Sequence, residues 1–113
     1  MPQYVLLLRT NDEAWAKLSP EEIQKKIEKY ISWRNMTFVV GGAGLDRKSG
    51  RVIQKKDDGV SVTEGPFCES REVMAGYYII EAASYEEAVT LSLDGPHADM
   101  GTIEIREVLV YNT

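Results

Sequence analysis

The stretch from Glu64 to Glu72 gathers three carboxylates, Glu64, Glu69 and Glu72, and the guanidinium of Arg71 around a Gly65-Pro66 pair. Gly-Pro pins a backbone. A rigid loop of this composition can line a pocket, presenting a carboxylate as a base and an arginine as an anion clamp. The plainer reading is a turn anchored by Phe67, its charges solvated or paired with one another. His97 is the only histidine, and its ordinary pKa makes it the first suspect for proton transfer. One residue separates it from Asp99, close enough for the carboxylate to orient the imidazole if the loop folds back. A solvated histidine in a helix-to-strand connection is the commoner arrangement.

Arg9 and Arg106 end or interrupt apolar strands, where a charge needs a partner or solvent. Arg106 can bind a substrate carboxylate or form a structural ion pair, with Glu69 or Glu72 as candidate partners. Glu107 shares strand parity with Ile103, Ile105 and Leu109, which predicts a bulge that frees it from an apolar face. Cys68 has no histidine beside it in sequence and reads as an inert thiol. Trp15, Trp33, Tyr77 and Tyr78 can line an apolar pocket or serve as core or interface. The residues nominated are thus His97, Glu64 and Glu69 for proton transfer, and Arg71, Arg106, Glu72 and Tyr78 for holding a substrate.

Two phosphate motifs fail. Gly42 to Ser49 imitates a P-loop, but Arg47 stands where the second glycine is required before Lys48-Ser49. The same arginine replaces the third glycine of a dinucleotide fingerprint begun by Gly42 and Gly44. With one cysteine and one histidine, no structural zinc site or internal disulfide is expected. No cofactor is implied.

The elements that must position these groups follow from local signals. Tyr4 to Arg9 is an apolar, Leu-rich strand. Ser19, Pro20 and Glu22 make a capping box with proline in the first turn, and Leu18 with Ile23 has the spacing of a hydrophobic staple. Ile23, Ile27, Tyr30 and Ile31 then recur at helical spacing opposite Lys25, Lys26, Glu28 and Lys29. Met36 to Val40 is extended and is expected to stop at Gly41-Gly42-Ala43-Gly44. Arg51 to Gln54 and Val60 to Thr63 flank Asp57-Asp58-Gly59, a hairpin signal. Met74 to Ala82 is a strand, Ser84 and Glu87 repeat the capping pattern before a helix ending near Asp94, and Ile103 to Tyr111 is the last strand. The predicted class is α+β, a ferredoxin-like βαββαβ order with one inserted hairpin, in a single domain over residues 1–113.

The 113 residues are 43% hydrophobic and 27% charged, close to globular averages. A formal charge of -5 without a basic face argues against direct nucleic-acid contact. No apolar run approaches the roughly 20 residues that span a bilayer, and Met1-Pro2-Gln3 opens no secretory leader; the expectation is a cytoplasmic protein without membrane contact. Tyr4-Val5-Leu6-Leu7-Leu8 and Tyr77-Tyr78-Ile79-Ile80 carry apolar residues on both alternating faces, yet two helices cover only one face of an antiparallel sheet. A second copy of the sheet is the economical cover, which predicts a homodimer.

The run Glu64-Gly65-Pro66-Phe67-Cys68-Glu69-Ser70-Arg71-Glu72, followed by Gly76-Tyr77-Tyr78-Ile79-Ile80, resembles the signature of the YCII-related, DGPF-type family. Trp15 before Leu18-Ser19-Pro20-Glu21-Glu22, Gly59, Glu87-Ala88, Pro96 and Ile103-Glu104-Ile105-Arg106 extend the resemblance over almost the whole chain. It implies a dimeric α+β barrel of two ferredoxin-like subunits. Glu64 stands where the family usually has Asp, Arg71 where Lys is usual, and Glu107 where Pro often follows the arginine; the first two keep charge but change reach and geometry. The YciI branch has a His-Asp pair with its histidine near the start of the first helix; that region here reads Ser19-Pro20-Glu21-Glu22-Ile23, so the pair does not carry over. Association of the DGPF type with sigma factors implies a protein partner. Two functions result: binding of a small polar molecule in a barrel pocket, with acid-base chemistry of the isomerase or lyase kind, or a non-catalytic module that partners a sigma factor.

Overall fold

Alternation governs the first strand. In the computed structural model, which describes residues 1–64 and 72–111, β1 (Gln3–Asn11) buries Tyr4, Leu6, Leu8 and Thr10 and leaves Val5, Leu7 and Arg9 half-buried on the other side. The side chain of Asn11 accepts a hydrogen bond from the Glu13 amide at 2.9 Å and starts a short helix, α1 (Asp12–Ala16), that was not expected. Helix α2 (Pro20–Arg34) begins as predicted: the Ser19 hydroxyl accepts from the Glu22 amide and Glu22 Oε1 from the Ser19 amide, both at 3.1 Å. Two otherwise unsatisfied amides are thereby paired and the helix register is fixed.

The chain continues through β2 (Val39–Gly44), the hairpin β3 (Arg51–Lys56) and β4 (Gly59–Glu64), then β5 (Glu72–Glu81), α3 (Tyr85–Leu93), a 3-10 turn (Pro96–Asp99) and β6 (Gly101–Glu107). Four strands form an open antiparallel sheet in the order β2-β5-β1-β6, and β3-β4 form a separate two-stranded sheet. Tyr4, Leu6, Leu8 and Ile80 from the sheet meet Trp33 of α2 and Ala88 of α3 in one core cluster. Both helices therefore lie on the Tyr4 face. The opposite face carries Val5, Leu7 and Arg9, paired in register with Ile79 and Tyr77 of β5 and with Arg106, Glu104 and Thr102 of β6.

Several expectations are corrected. Strand β2 does not stop at the glycines but runs through them, because they let two backbones approach: a Cβ on Gly42 would lie 2.5 Å from the Tyr77 carbonyl oxygen, and Gly42 has φ 144°. Strand β6 ends at Glu107 rather than Tyr111: the Val108 amide still donates to the carbonyl of Gln3 at 2.8 Å, but Gln3 is the first residue of β1. No bulge occurs at Glu107, whose register opposite Tyr4 is continuous with Gly101. As the last strand residue it reaches solvent, and its amide donates to the Tyr85 hydroxyl at 2.8 Å. Irregularities lie instead between Leu8 and Arg9, where β1 meets β5, and between Val39 and Gly41, where β2 meets β5. At α3, Ser84 accepts from the Glu87 amide, but Glu87 Oε1 reaches the Ala83 amide rather than that of Ser84. Among the described residues no helix is long and apolar enough to cross a membrane.

Candidate functional site

The apolar stripe of α2 sets which side faces the sheet. Ile23, Ile27, Tyr30, Ile31 and Arg34 fall on one stripe and line a cleft of about 520 Å³ between the helix and the strands β1, β5 and β2. This size lies within the roughly 300–1,000 Å³ usual for small-molecule sites. Leu8 and Thr10 come from β1, Ala75, Gly76 and Tyr78 from β5, and Ala43 with Gly44 from β2. Trp15 of α1 closes one side: its indole N–H donates to Thr10 Oγ1 at 2.7 Å, and its ring stacks with Tyr30 at 6.1 Å between centroids.

The polar centre of the cleft is a tyrosine–histidine pair. The Tyr30 hydroxyl lies 2.7 Å from His97 Nδ1, and His97 Nε2 lies 2.8 Å from the carbonyl oxygen of Arg9. A carbonyl only accepts, so Nε2 carries a proton; with the ring neutral, Nδ1 is then an acceptor and Tyr30 the donor. Gly95 and Pro96 introduce the 3-10 turn that holds His97, which is 5% exposed. Burial pushes the Tyr30 hydroxyl well above its ordinary range, with the negative fields of Tyr78 and Asp99 adding to it. Tyr30 therefore stays a neutral phenol whose proton points at His97 and whose oxygen lone pairs are left to accept from a ligand. Burial also raises the Tyr78 hydroxyl, opposed by the positive charge of Arg34.

Two guanidinium groups stand on the β2 side. Arg34 Nη2 donates to the Gly42 carbonyl at 3.3 Å, and Arg47 Nη1 to Asp12 Oδ1 at 2.7 Å. Among the described lining residues there is no carboxylate. The arrangement can hold a partly apolar molecule, bind a negative group at its arginine side and exchange hydrogen bonds or a proton at the Tyr30–His97 pair.

The family model described as the YCII-related domain matches residues 3–112. This chain belongs to that family. The YCII-related chain is also similar to an uncharacterised protein of Rhizobium meliloti, 28% identical over an alignment of 117 positions that spans 89% of this chain and 88% of the relative.

Two of the nominated residues meet in the cleft of this YCII-related protein: His97 at its polar centre and Tyr78 on its floor. His97 is buried rather than solvated, because the turn after α3 tucks it under Tyr30 and the end of β1. The groups that orient its ring are Tyr30 and the Arg9 carbonyl, while Asp99 pairs with Lys26 at 3.9 Å. Glu64 lies elsewhere, at the end of β4, 84% exposed and 3.7 Å from Arg51. Arg106 stands on the opposite sheet face, 70% exposed, and among the described residues it pairs with Glu104 at 3.4 Å. Arg9 shares that carboxylate at 3.0 Å, and the bonds from Arg9 and then Arg106 hold Glu104 below the usual carboxylate range. Glu69, Arg71, Phe67 and Cys68, and the side chain of Glu72, lie outside the described residues.

Sequence reasoning did not nominate Tyr30, Arg34, Arg47 or Thr10. Tyr30 was assigned to the apolar stripe and Arg47 noticed only as a motif breaker. A usable signal existed: Tyr30 and Arg34 extend the Ile23–Ile27 stripe at i+3 and then i+4 spacing, so the stripe ends in polar tips where a core face would remain aliphatic.

Proposed function

We propose that this YCII-related protein binds a small polar molecule in the cleft between α2 and the sheet, with Tyr30 and His97 managing a proton during isomerase- or lyase-like chemistry. The observation that carries this reading is the 2.7 Å Tyr30–His97 hydrogen bond inside a cleft of about 520 Å³ whose walls are otherwise mostly apolar. Polar groups that converge in an apolar concavity are the usual mark of a ligand site. In such a reaction Tyr30 takes a proton from the ligand as it passes its own to Nδ1, and the Arg9 carbonyl steadies the imidazolium through Nε2–H. The test is a thermal-shift and NMR screen of small polar compounds against the wild type and Ile27→Trp, which fills the cleft. Hits should perturb cleft resonances and vanish in the variant; hits that survive it unchanged refute the reading.

We also infer that the order β2-β5-β1-β6 is the ferredoxin-like arrangement and that the opposite sheet face meets a second copy, giving a dimeric α+β barrel. Val5, Leu7, Tyr77 and Ile79 on that face support this cover. Equilibrium sedimentation at micromolar concentration tests it, and a monomer refutes it. A second reading, a module that docks on a protein such as a sigma factor, draws on the β3-β4 hairpin, where Ile53, Val60 and Val62 are exposed on one face. It predicts that aspartates at these three positions abolish the interaction while Ile27→Trp leaves it intact.

A further inference from the structure

We infer, resting on the small-molecule reading of the cleft, that its ligand is an organic carboxylate with an apolar body and that Arg34 receives the carboxylate. The chain carries 18 acidic against 13 basic side chains, so a wall drawn at random would tend to be acidic. The described lining runs the other way, with two arginines and no Asp or Glu. Arg34 closes α2, in line with Ile27 and Tyr30 on the stripe that faces the sheet. Its Nη2 donates to the Gly42 carbonyl, which fixes the guanidinium plane against β2 without neutralising it, because a backbone carbonyl is an uncharged acceptor. Among the described residues it pairs with no carboxylate. Its charge is felt inside the cleft, where it works against burial at the Tyr78 hydroxyl.

Arg47 differs: Asp12 already compensates it at 2.7 Å, so it shapes the rim rather than supplying the anchor. A guanidinium fork matches a planar carboxylate through two parallel hydrogen bonds. Ile23, Ile27, Leu8 and the Trp15 ring offer the rest of the ligand an apolar bed, and Tyr30 offers its lone pairs to a donor on the same molecule. One open fork in an apolar cleft suits a carboxylate better than a phosphate, which asks for several donors at once.

Matched trios of acid, amide and amine on phenyl, indole and naphthyl scaffolds (phenylacetate, phenylacetamide, phenethylamine and their counterparts) test this by ligand titration followed with NMR. The acid should bind at the cleft about tenfold or more tightly than its amide, the scale of one charge-assisted pair, and the amine least. Arg34→Gln should reduce the acid to the affinity of the amide, Arg34→Lys should retain part of the preference, and Lys55→Gln on the hairpin should change nothing. Arg34 is exposed at the helix end, so these variants should fold. If acid and amide bind the cleft equally, or the preference survives Arg34→Gln, the carboxylate assignment is wrong while the cleft remains a site. If no trio perturbs cleft resonances, or Ile27→Trp leaves binding unchanged, the small-molecule reading itself fails and takes this assignment with it.

Discussion

Replacing Tyr30 by phenylalanine removes one oxygen and little volume, which isolates the hydroxyl that donates to His97 Nδ1 at 2.7 Å. A net hydrogen bond contributes about 1 kcal/mol, and depriving a buried acceptor of its donor raises the cost to about 1–3 kcal/mol. Tyr30 is half-buried and His97 nearly fully buried, so the expected loss is about 1–2 kcal/mol, read as a lower urea midpoint at unchanged slope. The same variant has a second readout. Because His97 is the only histidine, the imidazole ¹⁵N spectrum of uniformly labelled protein belongs to it without assignment ambiguity. In the wild type at neutral pH it should show a protonated Nε2 and an unprotonated, hydrogen-bonded Nδ1, the tautomer dictated by the Arg9 carbonyl at 2.8 Å. Tyr30→Phe should shift Nδ1 and leave Nε2 nearly still. A proton on Nδ1 in the wild type, or a variant with unaltered stability and unaltered Nδ1, would refute the donor assignment and the relay built on it.

Gly42→Ala should destabilise by about 2 kcal/mol or more, since its φ of 144° disfavours any side chain and the added Cβ would sit 2.5 Å from the Tyr77 carbonyl oxygen; a urea midpoint equal to wild type contradicts the β2-β5 packing. Leu6→Ala, at a site 1% exposed beneath both helices, should lose about 2–5 kcal/mol, and a loss below about 1 kcal/mol means that the core lies elsewhere. Arg9 and Arg106 lower the Glu104 carboxyl below its ordinary value of 4.5, so its stabilisation is present above that pH and disappears as pH falls through the lower folded-state value. The stability difference between wild type and Glu104→Gln should therefore shrink in acid unfolding series below about pH 4.5; a pH-independent difference rules the pairing out.

What could be seen in advance was set by neighbours in the chain. The Ser19–Glu22 box, the Asp57-Asp58 hairpin and the alternation of β1 each depend on hydrogen bonds or side-chain parity within a few residues, and such patterns are written in the order of the amino acids. The strand boundaries failed where a partner decided them: β2 continues because Tyr77 and Tyr78 accept a glycine backbone close by, and β6 stops because β1 has run out.

The same distinction separates the nominated residues from the cleft. Sequence singled out His97 as the lone group titrating near neutrality, but its partners lie 67 and 88 residues away, at Tyr30 and the Arg9 carbonyl. Arg106 was expected to need a counterion, and the sheet supplied Glu104 two residues along its own strand, on the same face as Arg9. Order along the chain settled where the long helices and the main strands form, though not the short helix α1, and which side of each is apolar, because backbone hydrogen bonding and side-chain periodicity are local. Only the packed sheet and the seating of α2 on it determined that Tyr30, Arg34 and His97 share one cleft, since side chains remote in sequence converge only once register and helix position are fixed together.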